Sequence, residues 1–381
     1  MKICFWGSIA GALTGSTDGG SELQIALIAK ALARSGNEVV IIDYKADEDF
    51  VTEDGIKVLK IKGWNNGIRV LRTITHRLPQ LYLSLKNQKA DIYYCRIRDF
   101  RHILAYWVAR KVKAKFILHM SSDLDTMSFS MRWKNYYLTE SGNLWWFFSG
   151  IFVEMVYPWL LRNADLVLVQ HEGQKNILLA KHIKSVVFLN LFDLKGIPDL
   201  SNQIHKDFVY VGWLDKRKGF IEFFELVKKA PLSTFKVIGP PRDKTGFLYF
   251  KKLKSFSNVS LLGELNHSDT LKQIANSKAL ISTSRMEGFP NVFIEAWACG
   301  IPVISLNVDP GSVIEKEGLG EIAHGNLNNM VPALANIKNT DDFAKKAKAY
   351  VEKNHGFNAN KFKEIDKLFK ELFRDGNIGN I

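Results

Sequence analysis

Short apolar runs alternate with longer amphipathic stretches along the whole chain. In the first half the runs are Lys2–Phe5, Val39–Tyr44, Asp91–Cys95, Lys115–His119, Leu166–Gln170 and Val186–Leu189. After a polar stretch, Asp193–Lys206, the pattern restarts with Phe208–Val211, Thr234–Ile238, Val259–Leu262, Ala279–Ser282 and Pro302–Ser305. Such short runs read as buried strands, and the stretches between them as helices. In Ser21–Ser35, Leu23, Ala26, Leu27 and Ala31 form one stripe; Ser21 stands where a cap is expected and Gly36 where the helix would end. Strands separated by helices imply parallel sheets. The pattern predicts two α/β domains joined near residues 190–205, with a charged helical segment over Asp341–Phe373.

Composition adds bounds rather than a function. The chain has 381 residues, 46% hydrophobic and 24% charged, an ordinary globular balance with apolar material for two cores. Cys4, Cys95 and Cys299 are odd in number and widely spaced, which argues against a zinc site or disulfide framework and for a reducing compartment. The opening MKICFWGSIAGALTG has one lysine and early glycines, so it reads as a first strand and turn rather than a signal peptide. Glu154 and Pro158 interrupt the most apolar stretch, Leu144–Leu161, so no membrane-spanning helix is expected.

Charge changes the picture more. The net charge is +13, and Lys57–Lys115 alone holds 15 Lys and Arg against two Asp, Asp91 and Asp99. Such a segment is either a solvated basic face or an attractor of polyanions, whether lipid headgroups, a lipid-linked phosphate or nucleic acid. Trp145, Trp146, Phe147 and Phe148 lie in the same domain, as core or as a membrane-facing run.

The most informative segment runs from Ser282 to Ile304, STSRMEGFPNVFIEAWACGIPVI. A strand ends near Ser282 and a Gly288-Phe289-Pro290 loop follows. Pro290 suits the first helical position, Asn291, Val292 and Phe293 fill the first turn, and Gly300 closes the helix. A helix N-terminus at the carboxyl edge of a parallel sheet is an anion site. Two carboxylates frame it, Glu287 in the loop and Glu295 in the helix. Carboxylates beside a phosphate make sense as acceptors of hydrogen bonds from ribose or sugar hydroxyls.

Glu287-x7-Glu295 within GFPNVFIEAWACGIPVI resembles the EX7E motif of glycosyltransferase family 4. That resemblance implies a GT-B fold: two facing Rossmann-like domains with a cleft between them. It divides the chain into an acceptor-side domain over 1–190, a donor-side domain over 191–356 and a C-terminal helix over 357–381 that packs back on the first domain. It also implies transfer of a sugar, with retention, from a nucleotide-diphosphate sugar to a glycan or lipid-linked acceptor in polysaccharide or cell-surface glycan synthesis.

The resemblance supplies the remaining site expectations. Gly15–Glu22, with Gly19 and Gly20, resembles the family's glycine loop near the donor diphosphate or acceptor; the alternative is a tight turn. Val209–Gly219 resembles the strand and loop that carry an Arg and a Lys to the donor phosphates. Lys218 matches the Lys, but Trp213 stands at the Arg position, leaving Arg217 or Lys216 as substitutes. Gly263 and Leu265 fall where backbone groups would hold the base. Glu287 would face the donor sugar and Glu295 the ribose, with Gly288, Phe289, Pro290, Asn291, Val292 and Phe293 around the diphosphate. His119, ending a first-domain strand, would contact the sugar, and Asp123 and Asp125 are acceptor candidates. No metal or prosthetic group is required, and a UDP-sugar ranks ahead of a GDP-sugar as donor. The expected location is cytoplasmic, with peripheral contact to an anionic membrane.

Three other signals carry less. Asp123-Leu-Asp125 has the form of a metal-binding DxD pair, but three residues recur by chance. Gly239–Thr245 lacks the second glycine of a phosphate-binding loop, and its two prolines remove N–H donors. No GxGxxG follows the first strand. The competing readings are another GT-B enzyme such as a nucleotide-sugar epimerase, and a basic nucleic-acid-binding protein. The latter would stack bases on Tyr93, Tyr94, Phe100, Tyr106 and Trp107.

Overall fold

A computed structural model describes residues 1–15, 19–133, 144–198 and 206–375; the side chains of residues 144–149 lie outside the described residues. The chain divides into two compact units, Met1–Leu191 with Phe357–Ile381, and Phe192–Gly356.

The first unit is built on eight strands: β1 (Lys2–Gly7), β2 (Glu38–Asp43), β3 (Phe50–Val51), β4 (Lys57–Lys60), β5 (Ile92–Arg96), β6 (Lys115–His119), β7 (Leu166–Val169) and β8 (Ser185–Val187). Their order is β3-β4-β2-β1-β5-β6-β7-β8, parallel except for the β3–β4 pair. The central strands β1, β2, β5, β6 and β7 are buried on both faces, which is why they read as continuous apolar runs. The outer strands β3 and β4 escaped the sequence pattern because one is two residues long and the other has only two apolar residues between lysines.

The helix Gly20–Arg34 follows β1. Its N-cap is Gly19, not Ser21, which lies inside the first turn; no side chain caps it. The C-terminal helix Ala359–Asp375 lies on the same face. Ile365, Leu368, Phe369 and Leu372 join the core beneath it, Asn37 donates to Asp366 at 2.8 Å, and the Arg34 guanidinium covers Phe357 and Phe362.

The second unit has six strands: β9 (Phe208–Val211), β10 (Phe235–Ile238), β11 (Val259–Gly263), β12 (Ala279–Ser282), β13 (Val303–Ser305) and β14 (Gly320–Ile322). All are parallel, in the order β11-β10-β9-β12-β13-β14. The order reverses between β9 and β12. In such sheets a crevice opens past the carboxyl ends of the two strands at the reversal, because their helices leave toward opposite faces. β14, only three residues long, was not expected from sequence.

Candidate active site

The carboxyl ends of β9 and β12 bring together residues that are far apart in sequence. The loop after β9 is tight. Asp215, buried, accepts from Lys218 N at 2.8 Å, and Gly219 lies so close to Thr283 that a Cβ there would sit 1.8 Å from the Thr283 carbonyl oxygen. Gly219 is also left-handed, at φ 69°, so only glycine fits both demands. Thr283 Oγ1 donates to the Gly219 carbonyl at 2.8 Å, which ties the two loops together.

Across this junction Lys218 Nζ donates to Glu287 Oε1 at 2.6 Å. Burial alone would raise the Glu287 carboxyl. The Lys218 charge and hydrogen bond, the Arg217 charge and a Ser284 hydrogen bond outweigh it and hold the group below the usual carboxylate range. Glu287 is therefore ionised at neutral pH, and a cation and an anion stand side by side at the sheet edge.

The helix Asn291–Ala298 starts just beyond. Pro290 is its N-cap rather than its first helical residue, with ψ 124°, and offers no side chain to cap the first turn. Phe289 and Phe293 are buried, Phe289 against His355 and Phe293 against Trp297. Of these two, a ligand at this helix start would meet backbone rather than rings. Glu295 is buried on the same helix and lies 3.2 Å from His267 Nε2. The Glu295 hydrogen bond raises the His267 pKa, against a smaller lowering by burial. Sequence reasoning missed His267, which carried no motif. Gly263 ends β11 at φ 72° with open space beside it, and its carbonyl accepts from Gly239 N at 2.7 Å; Leu265 is partly exposed.

In the first unit the candidates lie differently. Residues 16–18 of the glycine loop are outside the described residues; Gly19 and Gly20 begin a helix. His119 is fully buried. Tyr94 Oη and Arg96 Nη1 stand 2.5 and 3.2 Å from its Nδ1. Arginine only donates, so Nδ1 is the acceptor and the ring is neutral. Burial, and then the Arg96 charge, hold its pKa well below the usual imidazole value. At the end of β6 the ring is therefore enclosed and uncharged.

Arg96 itself, unremarked in the sequence, is buried and donates to Asn190 Oδ1 at 3.0 Å. Ile97, next to it, is left-handed at φ 74°, which is strained for a β-branched residue. Past this kink Arg98 donates to Glu154 at 2.6 Å.

The acceptor pair also divides. Asp125 is buried and turns one oxygen onto the Ser121 and Ser122 amides, at 2.9 and 3.3 Å. It closes its own capping box, and with Arg132 and Glu154 it lines a cavity. Asp123 is partly exposed and binds His171 Nε2 and Gln174 Nε2 at 2.9 and 2.8 Å. Among the described residues no group of three or more His, Cys, Asp or Glu is gathered as a metal would need. All three cysteines are buried and free, and burial pushes the Cys4 and Cys299 thiols up to about 12.

The basic segment is not a uniform stripe. Lys57 pairs with Glu38, Arg98 with Glu154, Arg101 with Asp99 and Arg110 with Asp165. Tyr93 and Tyr94 are core residues, so they are not available to stack on bases.

Residues 199–354 match the family described as Glycosyl transferases group 1. An uncharacterised glycosyltransferase of Methanocaldococcus jannaschii is 28% identical over 178 residues, 41% of this chain and 43% of that protein. The chain thus aligns with less than half the length of that relative. The sucrose-phosphate synthase of Thermosynechococcus elongatus shares the fold at a TM-score of 0.76 with 16% identity, covering 98% of this chain and 99% of that one. Anabaena HepE in complex with UDP and glucose superposes at 0.70, also with 16% identity, over 98% and 100%. The chain has the GT-B fold, and the family match lies within its second unit.

Proposed function

We propose that this protein is a retaining glycosyltransferase of the family 4 type, transferring a sugar from a UDP-sugar to a glycan or lipid-linked acceptor. The observation that carries this is the Lys218–Glu287 pair at the strand-order reversal of a unit matching the glycosyltransferase family. In this reading Lys218 and Arg217 offset the charge that develops on the diphosphate leaving group, aided by the N-terminus of the helix Asn291–Ala298. Glu287, held ionised, orients the donor sugar or stabilises positive charge at its reacting carbon. Glu295, steadied by His267, accepts from the ribose hydroxyls. Gly288–Phe293 lend backbone groups to the diphosphate, Gly263 and Leu265 border the base, and Gly19 and Gly20 open a helix toward donor or acceptor. His119 supports Arg96 and Tyr94 without touching the sugar, and Asp123 is the acceptor-side carboxylate that stays accessible. The HepE complex with UDP and glucose supports a UDP-sugar as donor.

Thermal shift with UDP, GDP and ADP, each with and without EDTA, tests this. A ligand at about 100 times its dissociation constant stabilises by roughly 2.7 kcal/mol, or about two to four degrees for a domain this size. A shift with UDP that EDTA leaves intact is expected; no shift with any nucleotide overturns the reading.

A lipid-linked acceptor and peripheral membrane contact are supported by one exposed segment of the first unit. Ile68, Val70, Leu71 and Ile74 are 72, 76, 51 and 70% exposed and alternate with Arg69 and Arg72. Apolar and cationic side chains mixed on one surface suit an anionic bilayer. Among the described residues no helix is long and apolar enough to cross a membrane. Co-sedimentation with phosphatidylglycerol vesicles at low salt is expected, and its absence there removes the membrane contact.

A further inference from the structure

The loop after β10 is zipped to the loop after β9. Leu214 and Pro241 form a parallel bridge, Arg242 N donates to the Leu214 carbonyl at 3.2 Å, and a Cβ on Gly239 would stand 2.0 Å from the Gly212 carbonyl oxygen. This contact sets the Arg242 guanidinium over the Trp213 indole, 5.1 Å from the ring centroid. Among the described residues the exposed Arg242 side chain has no hydrogen bond or ion pair. The adjacent Asp243 is committed elsewhere, to the amides of Lys216 and Gly246 at 3.1 and 2.6 Å. The Lys218 stem runs past Gly212, the residue before Trp213, about one van der Waals contact from where a Cβ would be (3.8 Å).

A guanidinium placed over an aromatic ring makes no hydrogen bond to it, so its N–H donors stay free, and its planar fork matches two phosphate oxygens. We propose that Arg242, positioned by Trp213, is a further cation of the donor site and binds the diphosphate together with Lys218 and Arg217. The charged groups then come from three neighbouring strand ends: Arg242 after β10, Arg217 and Lys218 after β9 and Glu287 after β12. The proposal rests on the nucleotide-sugar reading above. It sets a guanidinium against Trp213, the position where the family pattern has arginine.

Calorimetric titration with UDP and with uridine separates the possibilities, because uridine lacks the diphosphate. Arg242→Ala is expected to weaken UDP about tenfold and leave uridine within about twofold, with Arg242→Lys recovering part of the loss. Trp213→Ala is expected to weaken UDP as well, and the double variant to lose no more than Arg242→Ala alone. Unchanged UDP affinity in Arg242→Ala, or an equal loss for uridine, overturns the proposal. Additive losses overturn the role given to Trp213. If the unaltered protein binds none of UDP, GDP or ADP, the nucleotide-sugar reading falls and this inference with it. If it binds UDP and Arg242→Ala binds equally, only the inference falls.

Discussion

At the carboxyl edge of the first sheet most of the charged groups are buried; at that of the second Lys218, Glu287, Arg242 and His267 reach the surface, while Asp215 and Glu295 are buried. Arg96, His119, Asp125, Arg132 and Glu154 are each buried and satisfied mainly by one another or by backbone. Lys218, Glu287, Arg242 and His267 occupy equivalent strand ends of the second unit but remain partly or fully exposed. Two sheets of similar parallel topology thus use polar side chains in different ways. In the first, buried pairs hold the loops in place. In the second, glycines at points of backbone contact hold the loops together with Asp215, Asp243 and Thr283, whose side chains bond backbone groups.

The largest expected effect that separates the two edges is on turnover. Glu287→Ala should lower sugar transfer about 10²- to 10³-fold, the scale of losing one preorganised electrostatic group, while the urea midpoint moves little. Transfer from UDP-glucose, followed by release of UDP, measures it. Near-normal turnover would remove Glu287 from the mechanism.

Glu154→Leu should do the reverse. Arg132 Nε donates to both Glu154 oxygens, at 3.0 and 2.9 Å, and Arg98 adds a third contact. Removing the carboxylate leaves a buried guanidinium uncompensated, at a cost of about 3 kcal/mol. Urea denaturation should show that loss with UDP affinity unchanged; weakened UDP binding would mean the two edges are coupled.

A glycine pair sharpens the contrast. Gly239 and Gly36 both have positive φ, 125° and 83°, but only Gly239 is crowded; nothing lies within 4 Å of a Cβ on Gly36. Gly36→Ala should cost about 1 kcal/mol from backbone strain alone. Gly239→Ala should cost about 2–3 kcal/mol, the extra being the clash that parts the two loops. Equal losses would mean the loop contact is not tight.

The smallest effects concern pH and have opposite signs. His119 has a depressed folded pKa. As pH drops below about 6.5, the unfolded chain binds a proton that the native ring does not, so stability falls. His267 has a raised folded pKa through Glu295. Its contribution is fully present below about 6.5 and is lost as pH rises through the folded value. Melting curves from pH 5 to 8 should show His119→Asn flattening the acid side and His267→Asn the alkaline side. The opposite assignment would contradict both environments.

Much of this was legible in the residue pattern. The buried strands announced themselves as short apolar runs because both faces of each are covered. The segment Glu287–Gly300 could be read as loop, helix and stop because each turn has its own residue chemistry. Three things were not legible. Pro290 sits one position earlier than its preference suggests, since an N-cap and a first helical residue differ only in ψ. Asp125 looked like a free carboxylate until its neighbours' amides claimed it. Arg242 and His267 carried no signal, because each matters through a partner 28 or 29 residues away.

By itself, then, the sequence determined two parallel α/β units and singled out the two glutamates of the candidate site. Those follow from local periodicity and local turn preferences, which the chain carries wherever it folds. Only the tertiary structure decided which charges stand at the surface and which are sealed in. That depends on strand order, which sets Lys218 beside Glu287 and Arg242 upon Trp213, and on burial, which turned His119 from a strand-end candidate into a neutral, enclosed ring.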